Sequence, residues 1–218
     1  LFSTLESIFD QSSPFDYEVI VVNDGSTDNT HEVCNKFDIK YEYLRNDKYR
    51  NPSIARNIGY RMSKGHIIIC QSDEVIHKNG NVIYQFGAKM QEEGRFIIAT
   101  VFDVVDNRCI SQYTGPQNRR PLFFLGAVKR EDLYKVGGND EDFVSPGFED
   151  NWFSDCLIHG LGLEDVYDPD IVGWHQSHAR PDNLSVLTEP SRALYEKKIR
   201  LALENKIEFK ASGGSWKC

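Results

Sequence analysis

Apolar positions in the first hundred residues alternate between two rhythms. Phe2, Leu5, Ile8 and Phe9 stand three or four apart or adjacent, which predicts a helix over 2–9. Glu18–Val22 is a β-branched run of the kind that forms a buried parallel strand. It stops at Asn23-Asp24-Gly25-Ser26, which is turn chemistry, and Thr27 or Asp28 can cap a helix over roughly 28–37. A short strand over Tyr41–Leu44 follows. Then comes a helix over Ser53–Met62 with Ile54, Ala55, Ile58, Gly59 and Met62 on one stripe. Ile67–Cys70 reads as a second buried strand. Asn81–Glu92 reads as an amphipathic helix with Val82, Ile83, Phe86 and Met90 facing inward.

The second half is less regular. Phe96–Val105 predicts one strand or two, and Pro121–Val128 another. Arg130–Val136 predicts a short helix stopped by Gly137-Gly138. Glu149–His159 is helical, with Trp152, Phe153, Cys156 and Leu157 as its apolar face. Short strands are expected at Glu164–Tyr167 and Ile171–Trp174, a last helix over Ser191–Asn205, and a flexible tail from Ala211 to Cys218. The alternation of strands and helices predicts an α/β fold with a mostly parallel central sheet flanked by helices, and a smaller mixed region after it.

Composition adds bounds. The 218 residues suffice for one large domain or two small ones, and 40% hydrophobic with 27% charged residues is ordinary for a globular chain. A net charge of −8 argues against a general nucleic-acid binder. Residues 45–64 hold six basic side chains against one acid, whereas residues 131–155 hold eight acids against one base. Such a pair of patches suits an anionic ligand beside a metal or a proton acceptor, or else two solvated faces. The five cysteines are widely spaced and form no CxxC, which favours free thiols in a reducing, cytoplasmic setting. No apolar run approaches the roughly 20 residues of a membrane span.

Five places can carry chemistry. Asp24, at the end of a strand, can accept a hydrogen bond from a nucleotide ring N–H while Gly25 lets the backbone approach; the same residues also make an Asx-turn. Gln71-Ser72-Asp73-Glu74 closes the second strand. Asp73 is its best candidate ligand for Mg2+ or Mn2+, Glu74 can assist, and Ser72 is a candidate nucleotide contact. Arg56 opens a helix, where a guanidinium and the helix N-terminus together suit an anion. Glu149 and Asp150 open another helix; Asp150 can take the proton of an acceptor hydroxyl, with Glu149 orienting it, although the helix dipole alone also favours acids there. His175 and His178 follow a strand and can supply a metal ligand or a phosphate contact, His175 first because it is nearer the strand end. Phe123, Phe124, Phe148 and Trp152 are candidates to stack on a sugar, or to fill a core.

Taken together these segments resemble the family 2 glycosyltransferases of GT-A fold. EVIVVNDGSTDNT is similar to that family's nucleotide-binding strand and turn, PSIARNIGYRMSKGHIIICQSDEV to its ARN-G helix and metal-binding strand, and FFLGAVKREDLYKVGGNDEDFVSPGFEDNWF to its acceptor-side segment ending in ED. The resemblance implies a Rossmann-like GT-A domain over 1–218. Residues 1–100 would bind the nucleotide sugar, 101–190 the acceptor, and 191–218 would add a helix and tail. It implies transfer of a sugar, with inversion, from a nucleoside-diphosphate sugar, above all a UDP-sugar, to a glycan, lipid-linked or protein hydroxyl. Asp24, Gly25, Arg56 and Ser72 would contact the nucleotide, Asp73 and His175 the metal, Trp152 the acceptor, and Asp150 with Glu149 would serve as the base.

Three departures from the family pattern stand out. The first aspartate of the metal motif is Gln71; the chain begins just after the strand with which the family normally opens; and the QxxRW motif of processive synthases is absent, which favours transfer of one sugar. A nucleotide-sugar-binding pseudoenzyme and a nucleotidyltransferase are the alternatives. A plain NAD-binding domain lacks its GxGxxG.

Overall fold

A computed structural model describes residues 1–179 and 181–212; most of the tail expected to be flexible lies outside them. The chain opens with α1 (Phe2–Phe9), β1 (Ile20–Asn23), α2 (Thr30–Cys34), β2 (Lys40–Tyr43) and α3 (Ser53–Met62). It continues through β3 (Ile67–Gln71), β4 (Val75–His77), α4 (Val82–Lys89), β5 (Arg95–Val105), β6 (Arg108–Thr114) and β7 (Leu125–Lys129). After α5 (Arg130–Val136), α6 (Glu149–Asp155) runs into a π-helical turn at Cys156–Gly160, and β8 (Glu164–Gln176) and α7 (Leu184–Leu203) complete it. No helix among the described residues is long and apolar enough to cross a membrane.

The α/β class holds, but the sheet is mixed rather than mostly parallel. β1 and β2 form a parallel pair of their own. The other six strands make one sheet in the order β3-β7-β5-β8-β4, with β6 also on β5. Within it only β5 and β8 run parallel. Local turn chemistry explains part of this. Asp106 and Asn107 both have positive φ, the signature of a two-residue hairpin that folds β6 back along β5. The two short strands expected near the C-terminus are one strand, β8. Its pairing with β5 jumps from Asp168 to Val172, so the intervening residues bulge out and the ladder resumes. Asp168 Oδ1 accepts from the backbone N–H groups of Asp170 and Ile171 within that bulge.

β5 is the spine of the core. Phe96 and Ile98 point to one face with Phe123, Leu133, Phe143 and Phe153. Ile97, Ala99 and Val101 point to the other with Val82, Phe86 and Met90 of α4. The parallel pair is built differently. Ile20, Val21 and Val22 are only half-buried, against the expectation of a buried strand, because no third strand among the described residues covers them. α3 is also turned from the expected orientation. Ser53, Asn57 and Tyr60 are its buried residues, and the apolar stripe is half-exposed beside β1. α7 begins earlier than predicted and runs through Pro190.

Candidate active site

The turn after β1 is held by its own asparagine. Asn23 Oδ1 accepts from the Ser26 backbone N–H at 2.8 Å, and Asn23 Nδ2 donates to Tyr41 Oη at 2.9 Å. Gly25 has φ +87°, and a Cβ there would stand 2.2 Å from the Asn46 carbonyl oxygen, so the turn requires glycine. Asp24 is clasped by Arg50, whose Nε donates to Oδ2 at 3.1 Å while Nη2 pairs with Oδ1. The sequence reading did not foresee Arg50 in this place.

Asn51, the next residue, reaches the second acidic centre. Its Nδ2 donates to Glu149 Oε2 at 3.0 Å and to the Ser145 carbonyl at 2.9 Å. Gly147 and Phe148 both have positive φ, and the chain enters α6 from this left-handed stretch, an uncommon conformation for phenylalanine. Glu149 and Asp150 are thereby turned inward at 8% and 4% exposure. Asp150 Oδ1 pairs with Arg56 Nη1 of α3, and Oδ2 accepts from the Phe123 backbone N–H at 3.1 Å. Burial, and then the charge of Asp150, push the Glu149 carboxyl upward; Arg56 and the Asn51 hydrogen bond oppose them. Arg56, expected at the nucleotide, therefore lies on Asp150. The basic and acidic segments do face each other, through Arg56 and Asp150 and through Asn57, which donates to Glu141 Oε1 and the Asn139 carbonyl at 2.8 Å each.

The third centre follows β3. Ser72 Oγ donates to Glu74, and Glu74 Oε1 lies 3.5 Å from His178 Nε2. Glu74, His175 and His178 offer ligand atoms all within 4.8 Å of one another. His178 and Glu74 thus stand beside His175 as donors. Asp73 is exposed next to them, and its backbone carbonyl accepts from Thr4 Oγ1. Crowding by protein, then the charge of Glu74, push the Asp73 carboxyl up to about 6. Gln71 is committed elsewhere: its Nε2 donates to the Val75 carbonyl and its Oε1 accepts from His77 Nε2, both at 2.8 Å. Burial drives the His77 imidazole down to about 4, so it is neutral and can serve as that donor.

These centres are joined. Phe123 gives its N–H to Asp150, while the carbonyl of Phe124 accepts from Ser72 N at 2.9 Å and the Phe124 ring lies 5.5 Å from that of His175. Trp152 does not take part. It is 1% exposed and packed between Phe209 and Lys198, so it has no face to offer an acceptor. An apolar helix stripe reads the same whether it fills a core or cradles a ligand, and here it fills the core.

A divalent cation fits the donor set. Two imidazoles and one carboxylate offer ligand atoms within 4.8 Å of one another, so small side-chain rotations would bring them to the roughly 3–4 Å that separates ligand atoms around an ion with bonds of about 2.1 Å. All four cysteines among the described residues are free thiols, and three of them are buried.

Residues 1–145 match the profile of the glycosyl transferase family 2. The probable glycosyltransferase YdaM of Bacillus subtilis is 25% identical over 199 residues, covering 79% of this chain and 46% of its own length. Among solved structures, Staphylococcus aureus TarS 1–349 in complex with UDP-GlcNAc aligns with a TM-score of 0.66 at 18% identity, over 92% of this chain and 61% of its own. Mannosyltransferase PcManGT of Pyrobaculum calidifontis, in complex with GDP-Man and Mn2+, aligns at 0.64 and 19% identity, over 90% and 59%. The chain thus spans less than two thirds of these relatives. The likeness to the solved structures shows the GT-A fold, and with the match over its first 145 residues the chain belongs to glycosyl transferase family 2.

Proposed function

We propose that this chain is the catalytic domain of an inverting, metal-dependent glycosyltransferase that moves one sugar from a UDP-sugar to an acceptor hydroxyl. The observation that carries the reading is the continuous path from Asp24 through Arg50 and Asn51 to Glu149 and Asp150, and on through Phe123 and Phe124 to Ser72 and His175. It links the turn at Asp24, the acids that open α6 and the segment after β3. The solved proteins of this fold carry UDP-GlcNAc in one case and GDP-Man with Mn2+ in another, which supports a nucleotide-sugar donor.

Asp73, Glu74, His175 and His178 would hold the cation. The imidazoles favour Mn2+ over Mg2+, because Mg2+ prefers an all-oxygen shell. The cation would neutralise the diphosphate as it leaves. Asp24 and the Gly25 turn would receive the base, while Arg56 stands on Asp150 and Ser72 beside Glu74. The pairing with Arg56 and the Phe123 N–H together fix the position and plane of the Asp150 carboxylate. A carboxylate oxygen has two lone pairs, so Oδ1 can take the acceptor proton beside Arg56. The acceptor oxygen then bonds to the anomeric carbon as the bond to the diphosphate breaks on the opposite face. The electron pair leaves with the nucleotide, and the configuration inverts.

A second reading, a nucleotide-sugar binder without turnover, draws on Gln71, whose amide is committed to Val75 and His77. Calorimetric titration of UDP with and without Mn2+, followed by an assay for UDP released from UDP-sugars, separates the two. Mn2+-dependent binding with UDP release supports the transferase. Binding with no release from any UDP-sugar, acceptors included, supports the binder. No binding in a folded sample removes both.

A further inference from the structure

His175 is held more tightly than its role as one ligand among several demands. Its ring is 3% exposed. Tyr113 of β6 stacks on it at 5.2 Å and 7° between planes, Phe124 leans on it at 5.5 Å, and His178 meets it edge-on at 5.4 Å. Asp103 lies directly opposite His175 in the parallel ladder of β5 and β8, and its Oδ1 stands 2.9 Å from His175 Nδ1. A carboxylate only accepts hydrogen bonds, so the proton of a neutral His175 sits on Nδ1 and the lone pair on Nε2. Stacking fixes the ring plane, and the Asp103 hydrogen bond fixes its rotation and tautomer.

This is the arrangement by which a carboxylate behind a histidine orients a metal ligand and raises its basicity. We infer that Asp103 is a positioning residue that presents His175 Nε2 to a divalent cation shared with Glu74 and His178. The inference rests on the metal-dependent reading proposed above and extends it to a residue two strands away from the QSDE segment. Nothing in the sequence around Asp103 marks it, because its partner lies 72 residues downstream.

The test is Mn2+ binding, measured by calorimetry and by electron paramagnetic resonance, with and without UDP, on the wild-type chain and on Asp103→Ala, Asp103→Asn and His175→Ala. Asp103→Ala is expected to weaken Mn2+ binding about 10- to 100-fold while the melting temperature of the metal-free protein changes little. Asp103→Asn keeps an acceptor for Nδ1–H, so it should recover part of that loss and shift the Mn2+ spectrum. If His175→Ala loses Mn2+ but both Asp103 variants bind it with wild-type affinity and spectrum, the positioning role is overturned and the metal reading stands. If the wild-type chain binds no Mn2+ in either condition, both fall. Should Asp103→Ala fail to fold, Asp103→Asn decides by the same criteria.

Discussion

The parallel β1–β2 pair and the six-stranded sheet around β5 are two ways of building a strand. β5 is covered on both faces by aromatic and aliphatic side chains of α4 and of the α5–α6 layer, and Phe96, Ile97, Ile98 and Ala99 are completely buried. β1 is half-buried, and charged groups bind its surroundings together. Lys40 pairs with Glu18, Glu18 also accepts from the Gly65 N–H at 3.2 Å, and Arg50 clasps Asp24. Burial of apolar area gives the first region a large and salt-independent stabilisation. Half-exposed ion pairs give the second less, and salt screens them. The side of the fold that would receive a nucleotide is therefore the softer one, and the acids proposed for catalysis stand where the two regions meet.

Asp150→Asn breaks that junction and should have the largest effect, a loss of about 10²–10⁴ in turnover with UDP binding retained. The checks are UDP release for the first and calorimetry for the second; near-wild-type turnover would remove Asp150 from the base role. Phe96→Ala tests the core side, and chemical denaturation should show a loss of about 3–5 kcal/mol. His77→Gln probes the pH response of the sheet edge. His77 is held near 4 in the folded protein against 6.5 when free, so the unfolded chain binds its proton first as pH falls. Its contribution is present above about 6.5 and lost on descending toward 4. Melting temperatures measured between pH 7 and 4 should fall less steeply in His77→Gln than in the wild type. Lys40→Ala is the smallest perturbation, less than about 1 kcal/mol and smaller still at high salt. A loss comparable with that of Phe96→Ala would mean that the β1–β2 pair is not the soft region described.

Much of this layout was legible in the chain. The abrupt ends of β1 and β3 in polar residues, the Arg56 helix, and the two acids opening α6 all sit where the periodicity put them. What periodicity cannot carry is the identity of the partner. A β-branched run announces a strand but not whether its neighbour is parallel, so the strand at β7 is legible while its antiparallel direction and the β6 hairpin are not. Local pattern also could not show that Arg50 would meet Asp24, that Arg56 would meet Asp150, or that Glu74 and His178 would stand together, since each pair is closed by folding over long sequence separations. Trp152 shows the same limit from the other side. Its apolar neighbours in the helix gave it a face, and only the packing of Phe209 decided that the face was internal.

The Phe123-Phe124 link has an evolutionary consequence. It joins the two acidic centres through a main-chain N–H to Asp150 and a main-chain carbonyl to Ser72. Every amino acid supplies that carbonyl, and every one except proline supplies that N–H. The link itself therefore depends on neither ring, and the spacing between the two centres is kept with the backbone, even though the Phe123 side chain is committed to the core.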